Sequence, residues 1–289
     1  MKRFFLISTA HLEDALWFRD DEDFVAGMNY VAIVAFVHKN VAVYAFILMS
    51  NHVHFVVYGE TEDVKEFIRD FKIRYSKYYG NRYGANNFLR RNDIDIREVA
   101  FATEDVKRAI AYVLMNCVAA NICAHPSQYP WGSGNVAFQV GKSSGKSLGL
   151  YSARGLRRIL HSAESSLPKN WLICEQGFIL PQNYIPVMNL EKIFRTPQGM
   201  NYFFNNSSKA KKNLSSEDHL PAFTDQTIFK ALPELLRSLF QKTSFADLSR
   251  EEKTECLRQI RYRFSADITQ AARVCGITYA EAAKLFDRM

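Results

Sequence analysis

Ala45-Phe46-Ile47-Leu48-Met49-Ser50-Asn51-His52-Val53-His54-Phe55-Val56-Val57-Tyr58-Gly59-Glu60 is the stretch on which the fold turns. Its two apolar runs read as a hairpin, with one strand over Val41 to Leu48 and the other over His52 to Tyr58. Side chains of an extended strand alternate faces, so His52 and His54 project to one side and Val53, Phe55 and Val57 to the other. Two imidazoles spaced in this way can converge on one divalent cation, while the apolar face holds the strand still. The same spacing also suits two histidines that only hydrogen-bond to their neighbours.

Outward from the hairpin, strand and helix patterns alternate. Arg3 to Ser8 reads as a strand and Asp21 to His38 as a helix; after the hairpin come a helix over Glu62 to Tyr79 and a strand over Asp95 to Phe101. Thr103 offers an N-cap for a further helix, Glu104 to Cys123. Strand, helix, strand, strand, helix, strand is the order of a ferredoxin-like sandwich, an α+β fold, with the last helix laid near the sheet. If that last helix is continuous, Arg108, Tyr112 and Asn116 form one polar stripe and Val106, Ile110, Val113 and Cys117 the apolar one.

The strand Met49-Ser50-Asn51-His52-Val53-His54, the later Tyr112-Val113-Leu114-Met115-Asn116-Cys117-Val118 and the closing Tyr129-Pro130-Trp131-Gly132-Ser133 together resemble the single-tyrosine HUH transposases. The likeness is greatest to the REP-associated tyrosine transposase branch, with Ser50 and Cys117 standing where that branch usually has proline. It covers about residues 1–135. The resemblance implies a catalytic domain over that span, with Tyr112 as the attacking group. It also implies a Mg²⁺ or Mn²⁺ ion held by His52, His54 and the amide oxygen of Asn116. The implied substrate is single-stranded or hairpin DNA, cut to leave a 5′-phosphotyrosine and a free 3′-OH and then rejoined without ATP. Tyr75 and Tyr79, on the preceding helix, are rival tyrosines.

The chain has 289 residues, 48% of them hydrophobic and 23% charged, ordinary for a globular protein, and a net charge of +7 that points to a polyanionic partner. Between Phe67 and Arg91 the basic residues Arg69, Lys72, Arg74, Lys77, Arg82, Arg90 and Arg91 face a single acid, Asp70, and are interleaved with Tyr75, Tyr78, Tyr79 and Tyr83. That mixture is expected where a phosphate backbone is tracked and bases are stacked, although a solvated helix face with aromatic anchors has the same composition. Arg69, Lys72, Arg74, Lys77 and Arg82, with Arg108 and Lys284, are the candidate DNA contacts. Five cysteines without a Cys-x-x-Cys pattern argue for a reduced, cytoplasmic setting. Met1 to Ile7 starts like a signal peptide but reaches Glu13 and Asp14 too soon, and Val25 to Val37 is too short to span a bilayer, so no membrane segment is expected.

Residues 136–224 read as a linker and a middle region without a chemical motif. Within them Gly141-Lys142-Ser143-Ser144-Gly145-Lys146-Ser147 falls one residue short of a phosphate-binding loop, and Asn205 to His219 is polar and expected to be mobile. Residues 225–289 read as helical throughout, with helix starts at Ser249, Asp267 and Thr278. Cys275-Gly276 makes a turn between two short helices, so this end, including Lys284, resembles a helix-turn-helix DNA-binding module. A homodimer is compatible with all of this. Two other readings share the histidine pair or the basic surface: a replication initiator or relaxase, many of which carry two neighbouring tyrosines, and a regulator that binds DNA without cutting it. A histidine-triad hydrolase would need a third alternating histidine, and position 56 is Val.

Overall fold

In the computed structural model, which describes all residues except 13–14, 86–87, 90–91, 101, 140–143, 165, 209–222, 265 and 287–289, six elements lead the chain. They are β1 (Arg3–Thr9), α1 (Asp21–Val37), β2 (Ala42–Met49), β3 (His52–Gly59), α2 (Thr61–Tyr83) and β4 (Ile94–Glu98). The four strands form one antiparallel sheet in the order β2-β3-β1-β4, making this an α+β fold. Each helical connection therefore steps over a strand belonging to the other one: β1 and β2 flank β3, and β3 and β4 flank β1. That interleaving puts Ser8 directly opposite His54 and Met49 opposite His52.

The sheet's two faces follow from the alternation in β3. Phe55 points at α2, with ring centroids 5.6 Å from both Phe67 and Phe71, and burying such rings contributes roughly 1.5–3 kcal/mol each over leaving them exposed. On the opposite face, α3 (Thr103–Leu114) lies against β2 and β3, bringing Tyr112 beside His54. The sequence suggested one helix from Glu104 to Cys123, but α3 stops at Met115 and only a single turn, α4 (Asn116–Ala119), follows. Nor does Thr103 cap it: the N-cap position is Ala102, with no side-chain cap bond. The segment Trp131-Gly132-Ser133 closes this part by adding to the free edge of β2, through Leu48 N–H to the Trp131 carbonyl (2.8 Å) and Phe46 N–H to Ser133 Oγ (2.9 Å). A Cβ on Gly132 would sit 2.9 Å from the Phe46 carbonyl oxygen, so only glycine allows that approach.

α1 starts well and is apolar on nearly every side. Asp20 caps it by accepting the Asp23 N–H at 3.0 Å, and Asp21, Glu22 and Asp23 place negative charge at the positive end of its dipole. A helix apolar all round must be covered all round. One side packs on the sheet and α2; the other is covered by the middle of the chain, which holds β5 (Lys146–Ser147), α5 (Ala153–Leu160), β6 (Leu172–Ile173), α6 (Val187–Phe194) and α7 (Pro197–Asn205). Asn29, the polar break in the apolar run, is fully buried there: its amide donates to the Gly177 carbonyl at 3.0 Å and accepts from Ile179 N–H at 2.9 Å. Leu148, Leu160, Ile179, Leu190 and Phe204 all join the same hydrophobic core as the sheet. The sequence boundary near residue 135 thus does not coincide with an edge of this core. Lys146 and Ser147, read as linker, pair with Ile173 and Leu172; Gly141, Lys142, Ser143 and most of the polar Asn205–His219 stretch lie outside the described residues.

A second core is built by α8 (Asp225–Phe240), α9 (Arg250–Phe264), α10 (Ile268–Cys275) and α11 (Tyr279–Phe286). Three helix starts read from sequence have cap bonds: Ser249 and Glu252 exchange backbone N–H bonds, Asp267 accepts from Gln270, and Thr278 from Glu281. Gly276, at φ 68°, turns the chain between α10 and α11. This bundle is tied to the sheet through Asp225, which is buried, accepts from Ser50 Oγ at 2.5 Å and pairs with Arg273 at 3.0 Å. Gln226 adds a bond to the Phe18 carbonyl at 2.7 Å. Among the described residues no helix is long and apolar enough to cross a membrane.

Candidate metal centre and nucleophile

His52 and His54 are both buried at the start of β3, on the face that α3 crosses. The chemistry of His52 is set by Asn51. The Asn51 amide N–H donates to the Leu12 carbonyl at 2.9 Å, which turns Oδ1 to His52 Nδ1 at 2.8 Å. An amide oxygen only accepts, so the imidazole proton sits on Nδ1 and the lone pair on Nε2, the tautomer of a metal ligand. His54 Nδ1 lies 2.8 Å from Ser8 Oγ, its opposite residue on β1.

A third imidazole joins them. His11, exposed and two residues beyond β1, stacks on His52 with centroids 3.7 Å apart and planes 12° from parallel. One ligand nitrogen from each of His11, His52 and His54 lies within 4.8 Å of the other two. No spacing rule in the sequence links position 11 to position 52. Only the pairing of β1 with β3 does so, because residues just past Ser8 run beside the start of β3.

Tyr112 is half-buried, with its ring edge-on to His54 at 5.8 Å, and shares with His11 and His54 a cavity of about 560 Å³ that Asp95 and Arg97 of β4 also line. Its rivals are in the core. Tyr75 is fully buried and donates to the Trp17 carbonyl, and burial pushes its phenol well above the ordinary value. Tyr79 is 1% exposed, stacked on Phe88 at 3.8 Å, and likewise raised by burial. Asn116 begins α4 and is buried; its amide N–H groups donate to the Tyr112 and Val113 carbonyls at 2.9 and 3.0 Å. Those bonds commit the nitrogen to the helix end, so Oδ1 is the atom left to accept a cation or a donor. Asn116, His52 and His11 line a second, larger cavity of about 1140 Å³, walled on its far side by Arg261, Gln270 and Arg273 of the C-terminal bundle. His11 borders both cavities.

The basic helix α2 is organised otherwise than its composition suggests. Tyr75, Tyr78 and Tyr79 are buried, so they are not a base-stacking surface. Arg82 is held by Asp20, Glu22 and Asp23 at 2.8, 2.9 and 2.6 Å, Arg74 by Asp70 at 2.9 Å, and Lys72 donates to the Asn92 carbonyl. Arg69 and Lys77 are exposed; Arg90 and Arg91 lie outside the described residues. Arg108, on α3, pairs with Asp105 at 2.9 Å while staying largely exposed, and Lys284 is exposed on α11.

No family model matches this chain, and neither does any curated protein. Among solved structures it is similar to a REP-associated tyrosine transposase bound to a REP hairpin, at 13% identity and a TM-score of 0.36, over 47% of this chain and 79% of that one. At that score the likeness assigns neither a residue nor an activity.

Proposed function

We propose that the chain is a metal-assisted DNA strand transferase of the single-tyrosine HUH type, acting on single-stranded or hairpin DNA. The observation that carries this reading is the placement of the half-buried Tyr112 edge-on to His54, in a cavity it shares with His11. The strand order β2-β3-β1-β4 supports a ferredoxin-like catalytic unit, and the paired short helices α10 and α11 support a helix-turn-helix role at the other end.

In this reading Tyr112 Oη forms a bond to the scissile phosphorus while the bond from that phosphorus to the 3′ oxygen breaks. The phenol gives up its proton as it attacks, and the departing oxygen takes one up to become a free 3′-OH. Because the phosphotyrosine bond stores the energy of the bond broken, a 3′-OH from another strand reverses the step and joins DNA without ATP. His52 and His54 would hold a divalent cation that polarises the phosphate and offsets charge building on its oxygens. Asn51 and Ser8 orient those two rings from behind, and Asn116 fastens the end of α3 on which Tyr112 sits.

The experiment is to incubate the full chain with end-labelled hairpin DNA carrying a single-stranded flank and a divalent ion, then look for a covalent protein–DNA adduct. Tyr112→Phe should abolish the adduct and leave DNA binding nearly unchanged. An adduct that survives in Tyr112→Phe, or forms fully in excess EDTA, removes the reading. DNA binding without any adduct in the parent chain would favour the non-catalytic regulator.

A further inference from the structure

We propose that His11 completes a three-imidazole site with His52 and His54, and that this site selects a nitrogen-preferring divalent transition ion, of which Zn²⁺ is the type, over Mg²⁺. The proposal deepens the reading above, on which it rests for the use of the metal but not for its binding.

Three observations support it. Donor count comes first: with one nitrogen of each ring within 4.8 Å of the others, the three can close on an ion whose Zn–N bonds of about 2.0–2.1 Å require nitrogens roughly 3.3 Å apart. Closing the remaining distance requires the exposed His11 ring to turn out of its stack on His52. Second, the backbone around His11 is clamped on both sides. Ala10 N–H donates to the Asp93 carbonyl at 2.8 Å and the Ala10 carbonyl accepts from Asn92 at 2.8 Å. Leu12 N–H donates to the Asn51 carbonyl at 3.1 Å, and the Leu12 carbonyl accepts from the Asn51 amide at 2.9 Å. Asn51 therefore orients His52 and pins the loop of His11 at once. Third, His11 lines both cavities, so the three rings stand beside the space open to a substrate.

The donor set then decides the ion. Imidazole nitrogen suits zinc, nickel, copper and iron, whereas Mg²⁺ demands oxygen ligands and gives up its water reluctantly. Three imidazoles plus an open position is the arrangement of a catalytic zinc site. A site with the Asn116 amide oxygen in place of the third imidazole would shift the preference back toward Mg²⁺ or Mn²⁺, so the identity of the third ligand is what the metal reports.

The test uses the full chain, stripped with a chelator and read without DNA. Co²⁺ serves as the spectroscopic probe and Zn²⁺ and Mg²⁺ as competitors. The parent chain is expected to give the visible absorption of Co²⁺ bound by nitrogen at low coordination number, to lose it on adding one equivalent of Zn²⁺, and to keep it in millimolar Mg²⁺. His11→Ala should weaken Zn²⁺ by about 100-fold or more and change the Co²⁺ spectrum, because losing a direct ligand should exceed the 10–100-fold cost of losing an outer-shell partner. The melting temperature of the metal-free protein should be unchanged, since His11 is exposed. Asn116→Ala should leave the spectrum as it was. Zn²⁺ affinity and spectrum that do not respond to His11→Ala, or that respond to Asn116→Ala instead, would overturn the proposal. So would a parent chain that binds Mg²⁺ as tightly as Zn²⁺. None of these results bears on whether Tyr112 forms the adduct, so the two readings fail separately.

Discussion

Arg82 separates two accounts of α2, and Arg82→Met is the perturbation that decides between them. In the folded chain its guanidinium donates to Asp20 at 2.9 and 2.8 Å, to Asp23 at 2.6 Å and to the Tyr78 hydroxyl at 3.0 Å. Its side chain is 24% exposed and that of Asp23 not at all, so removing the cation strands a buried carboxylate. Breaking a buried pair in that way costs about 3–5 kcal/mol. The low end, about 3 kcal/mol, is expected here, because Asp23 keeps the Arg19 N–H at 2.8 Å and the Tyr83 and Tyr78 hydroxyls at 3.0 and 3.1 Å. For a core of this size that is on the order of 6–12 °C in melting temperature. The deficit should also depend on pH. Burial already raises the Asp23 carboxyl above its ordinary value, so its contribution to stability is present at low pH and lost as pH rises through the folded value. Without Arg82 that folded value climbs further. Asp20 behaves oppositely: burial works to raise it, but the Arg82 hydrogen bond brings it below the ordinary value, a gain lost on acidification and absent in the variant. Both effects make the gap between parent and variant widen from pH 4 to pH 7, as urea unfolding at several pH values would measure. A variant with an unchanged urea midpoint but weaker DNA binding and a shallower salt slope would refute this reasoning and restore Arg82 as a phosphate contact.

Tyr75→Phe should lose about 1–2 kcal/mol, by leaving the buried Trp17 carbonyl without its donor, yet form the covalent adduct at the parent rate; a lost adduct in a folded variant would make Tyr75 the nucleophile. Asp225→Ala should leave the mostly buried Arg273 without its counter-ion and loosen the helical bundle by about 3 kcal/mol, seen as faster protease cutting between the two cores. Adding Arg273→Ala should then cost less than the sum of the two single changes, and strict additivity would show that the pair is not coupled. A chain ended after Gly134 strips the cover from α1 and should aggregate, whereas one ended after Ser208 keeps the whole first core and should give a cooperative melt; a well-folded shorter fragment would contradict the core described above.

Much of the sheet and of the helix beside it was legible because long apolar runs end at polar or turn residues. β1, α1, β2 and β3 begin and end within a residue or two of the bounds of those runs. What was not legible depends on distant partners. The tyrosines of α2 look like a stacking surface until Trp17 and Phe18 cover Tyr75, Tyr30 of α1 meets Tyr78 and Phe88 stacks on Tyr79, and Arg82 looks available for DNA until Asp20 and Asp23 arrive from the start of α1. Composition counts charges without knowing which are neutralised. His11 was missed for the same reason, since its relation to His52 exists only across the β1–β3 pairing. The break at Met115 was hidden because Asn116 caps the end of α3 through its own side chain, a local bond that competes with helix continuation.

The cover over α1 also sets a schedule. Asn29 finds its partner at Ile179, 150 residues later in the chain, so a ribosome adding 5–20 residues per second leaves the helix half-dressed for on the order of 10–30 s. The sheet can close once β4 has been made, at Glu98, but the apolar outer face of α1 stays uncovered until the middle of the chain follows. Synthesis therefore leaves an apolar helix face open, and slow decoding between the codons for Gly84 and Gly177 would lengthen that exposure without changing a single amino acid.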